Sequence, residues 1–252
     1  VLFLILIFSR GGMFSKEILR LEILGPEKAE AGQEIEYIVR YKNNGDFVLE
    51  NSKLVFDMPE NSLTEEGKIK LTQNLEDIYP GDEQIVKIQT RLMGKEKDLK
   101  TAQPSLSYIP KNLTARYESK TTFTTEIESV PVTLDFDLPS KIEQGKEIAY
   151  AINYFSNIDY PLENLGLKIA PIEGFEVLSS DASSLDNLEW RLPNLNKAQG
   201  GRINIRGRVV SETDQNLIFS AQLGMWQGRN FVVIKETKKE VQSIKPLLHI
   251  SQ

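Results

Sequence analysis

The stretch GQEIEYIVRYKNNGDFVLEN, residues 32–51, decides the fold class because apolar and polar residues alternate along its first half. Successive side chains of a β-strand point to opposite faces, so a period of two predicts a half-buried strand. The apolar face carries Ile35, Tyr37, Val39 and Tyr41. The NNGD segment then provides turn chemistry, and a second alternating segment follows it, so the stretch reads as strand, turn and strand.

Nearly the same phrase returns 113 residues later as GKEIAYAINYFSNIDYPLEN, residues 145–164. Between residues 26–54 and 139–167, 14 of 29 aligned positions are identical. The repeat signature consists of Gly32, Tyr37, Tyr41, Asn44, Asp46 and Asn51 in the first copy and Gly145, Tyr150, Tyr154, Asn157, Asp159 and Asn164 in the second. We interpret these positions as structural. The repeat predicts a duplicated domain at residues 16–128 and 129–241, each copy long enough to bury its own core.

Further short alternating segments follow in both copies, separated by turns rich in Gly, Pro, Asn and Asp. No long window shows apolar residues at the 3.6-residue spacing of a helix. Roughly seven short strands per copy is typical of an antiparallel sandwich. We therefore predict an all-β fold made of two tandem immunoglobulin-like β-sandwiches. The connecting segment TTEIESVPVTLDF, residues 124–136, has little Gly or Ser, which predicts a short and stiff connection.

The chain opens with VLFLILIF, residues 1–8, an unbroken apolar run. Because a membrane-spanning helix needs about 20 residues, we expect residues 1–15 to be the end of a membrane or signal-anchor segment. A cleaved signal peptide and a buried core strand are the alternatives. At the other end, SIKPLLHI (residues 243–250) matches SVPVTLDF (residues 129–136) at two positions, so residues 242–252 are expected to begin a truncated third repeat.

Composition excludes several kinds of active site. With 30 basic and 36 acidic residues, the net charge of −6 disfavours binding to nucleic-acid backbones. The absence of cysteine excludes disulfides, cysteine zinc sites and thiol nucleophiles. His249 is the single histidine and lies outside both copies, which excludes a Ser-His-Asp triad and histidine metal sites within them. We predict no enzymatic activity, no metal and no cofactor.

Two chemical options remain open after this elimination. Paired carboxylates could act as acid and base, with Asp57, Asp77, Glu173 and Asp181 as candidates. At 26% charged residues, solvated surface charges are the simpler interpretation of all four. A Lys-to-Asn isopeptide crosslink is the second option, and ordinary surface lysines and turn asparagines are its simpler alternative.

Three aromatic residues raise the option of a platform for sugars, namely Tyr108, Trp190 and Trp226. Trp190 alternates with Leu188 and Leu192, which predicts a core position. Trp226 lies in GMWQGRN and Tyr108 in the matching segment SYIPKN, both rich in turn formers. We therefore predict that Tyr108 and Trp226 lie at exposed tips, where they are the candidates for contact with a partner.

The order of residues in AGQEIEYIVRYKNNGDFVLENSKLVFDMP resembles the repeat domains of prokaryotic surface proteins. These include a conserved repeat of unknown function and CARDB, the cell-adhesion-related bacterial domain. LEWRLPNLNKAQGGRINIRGRV is similar to the tryptophan strand and the following loop and strand of those domains. Leu71 near the position of Trp190, and Ile158 in place of Gly45, depart from the pattern. The resemblance implies an exported, tandemly repeated spacer or adhesive module.

We therefore expect a non-enzymatic, membrane-anchored cell-surface spacer or adhesion module, located in the cell envelope with its repeats outside the cytoplasm. The expected partners are the membrane, through the N-terminal segment, and a surface protein or glycan. Nucleic acid is not an expected partner. The alternatives are a carbohydrate-binding accessory module of a larger envelope enzyme and an intracellular assembly scaffold.

Overall fold

The structure is a computed structural model of the chain, and it describes residues 18–64, 67–182, 184, 188–210 and 216–245. Every regular element within these residues is a β-strand, which confirms the all-β prediction. None of them forms a helix long and apolar enough to cross a membrane. The predicted membrane segment, residues 1–15, lies outside the described residues, as do His249 and most of the predicted third repeat.

The first half of the molecule, residues 18–130, folds into two sheets. Its strands are β1 (Leu19–Leu24), β2 (Lys28–Glu30), β3 (Glu34–Asn43), β4 (Leu49–Asp57), β5 (Ser62–Leu63), β6 (Lys70–Asn74), β7 (Glu83–Leu92), β8 (Leu99–Pro110), β9 (Tyr117–Lys120) and β10 (Phe123–Ser129). One sheet has the order β1-β3-β7-β5. The other has the order β2-β10-β8-β4-β6, and β9 pairs with β8 beside that path. Neighbours are antiparallel except β2 and β10, which are parallel.

The second half, residues 131–245, has the same arrangement of strands. These are β11 (Val132–Asp137), β12 (Lys141–Glu143), β13 (Glu147–Ser156), β14 (Leu165–Ile169), β15 (Phe175–Ser180), β16 (Glu189–Arg191), β17 (Gln199–Val209), β18 (Asn216–Gln227) and β19 (Asn230–Ile244). One sheet has the order β11-β13-β17-β15 and the other β12-β19-β18-β14-β16. Taken along the chain, these orders correspond strand for strand to those of the first half, with β9 as the additional strand.

Each half is held together by the inward faces of its two sheets. In β3, Tyr37 and Val39 are fully buried, as the alternating pattern predicts. The Tyr37 ring packs 5.8 Å, centroid to centroid, from Phe56 of the opposite sheet. In the second half the Tyr150 ring meets Phe219 edge-on at 5.5 Å. Buried side chains from facing sheets thus fill a shared core, so each half has a sandwich-like arrangement.

The last strand of each half runs past the boundary proposed from the sequence. β10 continues to Ser129, whereas the first copy was predicted to end at residue 128. β19 continues to Ile244, and its residues 242–244 pair in parallel with β12. Residues 242–244, which the sequence analysis assigned to a third repeat, therefore complete a sheet of the second half.

Candidate functional site

The junction between the two halves combines a short connection, buried apolar contacts and polar contacts. Only Val130 and Pro131 separate β10 from β11. The backbone on either side is bonded to both halves, since Ala31 N donates to Ser129 O at 2.9 Å and Asn157 N donates to Pro131 O at 2.8 Å. A connection this short, with its backbone groups paired, restricts the angles between the two halves.

Apolar side chains from both halves meet at the junction. Ile158 is fully buried and packs against Gly32, where a Cβ atom would overlap with Cγ2 of Ile158. Gly32 has a φ of 81°, in the left-handed region that favours glycine. Met93 and Ala31 of the first half belong to the same buried cluster as the core of the second half. The second core therefore extends across the junction into the first half.

Polar contacts surround this apolar centre. The guanidinium of Arg91 lies 5.0 Å from the ring centroid of Tyr160, a cation–π contact between the halves. The same guanidinium donates to Gly32 O at 3.0 Å and pairs with Glu34 at 2.7 Å. These bonds fix the position of the Arg91 guanidinium in the first half, and Tyr160 of the second half packs against it.

Ile158 stands where the first half has Gly45, one of the two departures from the repeat pattern. Gly45 makes room for Ile18, because a Cβ at Gly45 would lie 2.8 Å from Ile18 Cγ2. In the second half the corresponding turn instead carries an isoleucine that packs on Gly32 of the neighbouring half. The departure therefore has a structural reason, namely the contact between the halves.

The signature asparagines have a backbone role. Asn51 and Asn164 have φ values of 50° and 53°, in the left-handed region that asparagine tolerates better than most residues. The backbone NH of Asn44 donates to Ile18 O at 2.8 Å, which ties the turn to the start of β1. Asp46 and Asp159 lie exposed in the same turns, and Asp159 pairs with Lys197 at 3.5 Å.

The signature glycines and tyrosines are also structural. Gly145 has a φ of 73° with open space around it, unlike Gly32 at the junction. Tyr41 and Tyr154 are buried in the two cores. Burial raises the pKa of both hydroxyl groups. Their neutral form is therefore the one that the cores favour.

Asn43 is a structural residue that sequence reasoning missed. Its side chain is fully buried and its amide donates to Phe47 O at 2.8 Å and to Ile78 O at 2.9 Å. Its Oδ1 accepts a bond from Gly45 N at 2.9 Å. A polar residue on the apolar face at the end of a predicted strand is the signal that could have identified it. This network fixes the end of the first half farthest from the junction.

The prediction that Tyr108 lies at an exposed tip is wrong. Tyr108 is 4% exposed and belongs to the first core, with its ring stacked 6.1 Å from Tyr117. Strand pairing gives the reason: Leu54 pairs with Leu106, and the corresponding Leu167 pairs with Leu223. Two residues farther along each strand, Tyr108 corresponds to the buried Met225 rather than to Trp226. A one-residue error in register exchanges the inward and outward faces of a strand.

The two tryptophans have different surroundings. Trp190 is fully buried and its Nε1 donates to Ser180 Oγ at 3.1 Å, which confirms the core prediction. Trp226 is half-buried on the outer face of its sheet, with its ring centroid 4.3 Å from both Lys168 Nζ and Arg191 Cζ. A sugar ring stacking on Trp226 would have to displace one of these cations.

The candidate acid–base carboxylates have ordinary surface partners where contacts are described. Asp57 pairs with Lys70 at 2.9 Å. Asp181 accepts bonds from the side chain and backbone of Asn204, and these bonds hold its pKa below the ordinary value. Asp77 and Glu173 lie in loops between strands. Across the described part of the chain, no group of three or more Asp, Glu or His side chains is arranged to hold a metal ion.

No protein-family model matches this sequence, and no curated protein matches it significantly. Among solved structures, it is similar to red sea bream transglutaminase at 8% identity and a TM-score of 0.41, covering 92% of this chain and 32% of that one. A trypsin-activated alpha-2-macroglobulin from Escherichia coli is similar at 12% identity and a TM-score of 0.36. The match covers 90% of this chain and 18% of the macroglobulin. AvmM, which catalyses macrocyclization in alchivemycin A biosynthesis, is similar at 12% identity and a TM-score of 0.37. The match covers 48% of this chain and 93% of AvmM. Likenesses this weak carry no inference about activity or partners.

Proposed function

We propose that the chain is a non-enzymatic, membrane-anchored cell-surface spacer or adhesion module built from two tandem immunoglobulin-like sandwiches. The observation that carries the proposal is the packed junction between the halves. There Ile158 packs against Gly32, and the Arg91 guanidinium contacts the Tyr160 ring. A chain that only tethered two independent domains would not need a core shared between them. A shared core supports a rod that holds its ends at a fixed separation.

The strand order supports the immunoglobulin-like assignment. In the immunoglobulin fold, strands A, B, E and D form one sheet and strands C, F and G form most of the other. With β1, β3, β7 and β5 as A, B, E and D, the first sheet has this order. β4, β8 and β10 then correspond to C, F and G, with β6 beside C and β2 beside G. The second half repeats the pattern, which supports duplication of one ancestral domain.

The membrane and surface parts of the proposal are supported by the sequence. The apolar run of residues 1–8 precedes the first strand. The described chain starts at Ile18, which is bonded to the turn farthest from the junction. An anchor at the N-terminus would therefore leave the junction and the second half pointing away from the membrane.

Protease shaving of intact cells tests the location. The full-length gene is expressed with an epitope tag placed after Gln252, and protease is added to intact cells and, as a control, to lysed cells. The proposal predicts release of the tag from intact cells, because the rod faces outward. Cleavage only after lysis would contradict the surface location and would favour an intracellular scaffold.

A further inference from the structure

A polar groove opens on the outer face of the first half, between β4, β6 and β8. It has a volume of about 620 Å³ and is lined by Asn51, Ser52, Lys53, Asn74, Leu75, Ser107 and Arg116. Its origin is a β-bulge in β4, where Glu50 pairs with Ile109 and Lys53 with Ser107, so that β4 has one extra residue. The bulge turns Ser52 inward, where it is 2% exposed, and opens space beside Asn51.

The charges in this groove are all positive. Six of its seven lining residues are polar, two of these are the cations Lys53 and Arg116, and none is acidic. Neither cation forms an ion pair with another described residue. Nearby lysines differ, because Lys120 pairs with Glu118 at 3.1 Å and Lys70 pairs with Asp57 at 2.9 Å. On a chain of net charge −6, an uncompensated pair of cations in a groove marks a local site for an anion.

Arg116 is held in place over the groove. Its NH1 donates to Asn51 O at 3.2 Å and to Ser107 Oγ at 3.1 Å. A guanidinium has five N–H donors, so Nε and NH2 keep three of them for a ligand. Two parallel donors are the geometry with which arginine binds a carboxylate. The anchoring of NH1 fixes the orientation of this donor pair before any ligand arrives.

At the corresponding place in the second half, aromatic side chains occupy the space. Lys53 pairs with both Asn74 and Ser107, and in the second half Gly166 pairs with both Arg191 and Gly224. Trp226 and Phe231 fill the space above these two glycines, because a Cβ on Gly166 or Gly224 would meet one or both of their rings. The same location is thus closed in the second half by aromatic rings, which Lys168 and Arg191 contact, and is open in the first half.

We infer that the polar groove binds a carboxylated sugar, such as a hexuronic acid residue of an acidic polysaccharide. The carboxylate pairs with Nε and NH2 of Arg116, and Lys53 adds a second positive charge. The side-chain amides of Asn51 and Asn74 supply donors and acceptors for sugar hydroxyl groups. The volume lies in the range of about 300–1,000 Å³ that small-molecule sites occupy, larger than a simple inorganic anion needs.

Isothermal titration of the purified full chain tests this inference. The probe is a galacturonic acid tetrasaccharide, and neutral maltotetraose and inorganic phosphate are titrated under the same conditions. The tetrasaccharide should bind and maltotetraose should not, because only the former carries carboxylates. Arg116→Gln should weaken binding by roughly tenfold or more, since it removes a charge-assisted bidentate contact.

Lys120→Gln is the matched control, because it removes the same charge four residues away from Arg116 and outside the groove. It should leave the affinity within about twofold, since an exposed, paired lysine contributes little at that distance in salt. Absence of binding by the tetrasaccharide, equal binding of phosphate, or equal loss in both variants would each overturn the inference. The test is independent of the spacer proposal, whose location is tested by protease shaving of cells and whose rigidity is tested by distance measurements between the two halves.

Discussion

Tyr37 and Tyr150 occupy corresponding positions in the two cores but differ in the hydrogen bonding of their hydroxyl groups. The Tyr37 hydroxyl lies 3.0 Å from Thr125 Oγ1. The Tyr150 hydroxyl is buried without a partner among the described residues. A buried polar group without a partner costs about 1–3 kcal/mol, whereas a satisfied one adds about 1 kcal/mol of stability. The same residue type should therefore contribute differently to the stability of the two halves.

Substitution by phenylalanine measures this difference. At pH 7, Tyr37→Phe should lower the free energy of unfolding by about 1 kcal/mol, because the buried hydrogen bond between the Tyr37 hydroxyl and Thr125 Oγ1 is lost, while Thr125 keeps its bond to Pro26 O. Tyr150→Phe should leave it unchanged or raise it, because no hydrogen bond is lost. Urea denaturation followed by circular dichroism gives both values. A larger loss from Tyr150→Phe than from Tyr37→Phe would contradict the assigned hydrogen bonding.

The pH dependence of the same pair follows from burial. Burial raises the pKa of Tyr150 above the value of about 10 that it has in the unfolded chain. The folded state therefore retains a proton that the unfolded state releases, so this contribution is present below pH 10 and is lost as pH rises above it. Tyr150→Phe should reduce the loss of stability between about pH 10 and 11.5. An unchanged alkaline slope in the variant would contradict the shift.

At the scale of the elements, long alternating strands could be predicted from the sequence and short ones could not. β3, whose alternating residues Ile35, Tyr37, Val39 and Tyr41 predict a strand, is a strand at Glu34–Asn43 in the structure. β5 has only two residues and β2 and β12 have three each, too few to establish a period, so backbone pairing with neighbouring strands defines them. The missed position of Tyr108 has a different cause, because matching it with Trp226 rather than Met225 put the two segments one residue out of register.

The junction contacts and the polar groove also could not be predicted from the sequence. Ile158 was identified as a departure from the pattern, but its contact with Gly32 depends on how the two halves pack. The groove combines residues from three strands and from the segment before β9, brought together by pairing between distant parts of the chain. Sequence periodicity reports which face of a strand is buried, and it does not report which exposed residues become neighbours.

The short strand β16 illustrates how one side chain holds an element in place. Trp190 is its central residue, fully buried and bonded to Ser180. Trp190→Ala should lower the free energy of unfolding by about 3–5 kcal/mol, the usual cost of removing a buried tryptophan. Trp226→Ala, on the half-buried outer face, should cost clearly less. Urea denaturation followed by circular dichroism compares them, and equal losses would contradict the different burial of the two residues.

At the scale of the whole molecule, the contacts between the two sandwich-like halves predict a rigid junction. The halves share a buried cluster, a two-residue connection and an ion pair between Lys95 and Glu236 at 3.6 Å. Surface ion pairs contribute little, so the apolar contacts of the shared cluster, among them that of Ile158 with Gly32, should contribute most to the rigidity. Substituting Gly32 should loosen the junction. Substituting Gly145, which has a similar φ and open space around it, should only strain the local backbone.

The most direct test is the distance between spin labels placed in the two halves, measured by pulsed electron resonance. The chain has no cysteine, so Gln84→Cys and Arg206→Cys, both at exposed strand positions, provide unique labelling sites. The account predicts one narrow distance distribution, which Gly32→Val broadens and Gly145→Val leaves narrow. A broad or multi-peaked distribution in the chain without glycine substitutions would contradict the rigid junction and the spacer role built on it.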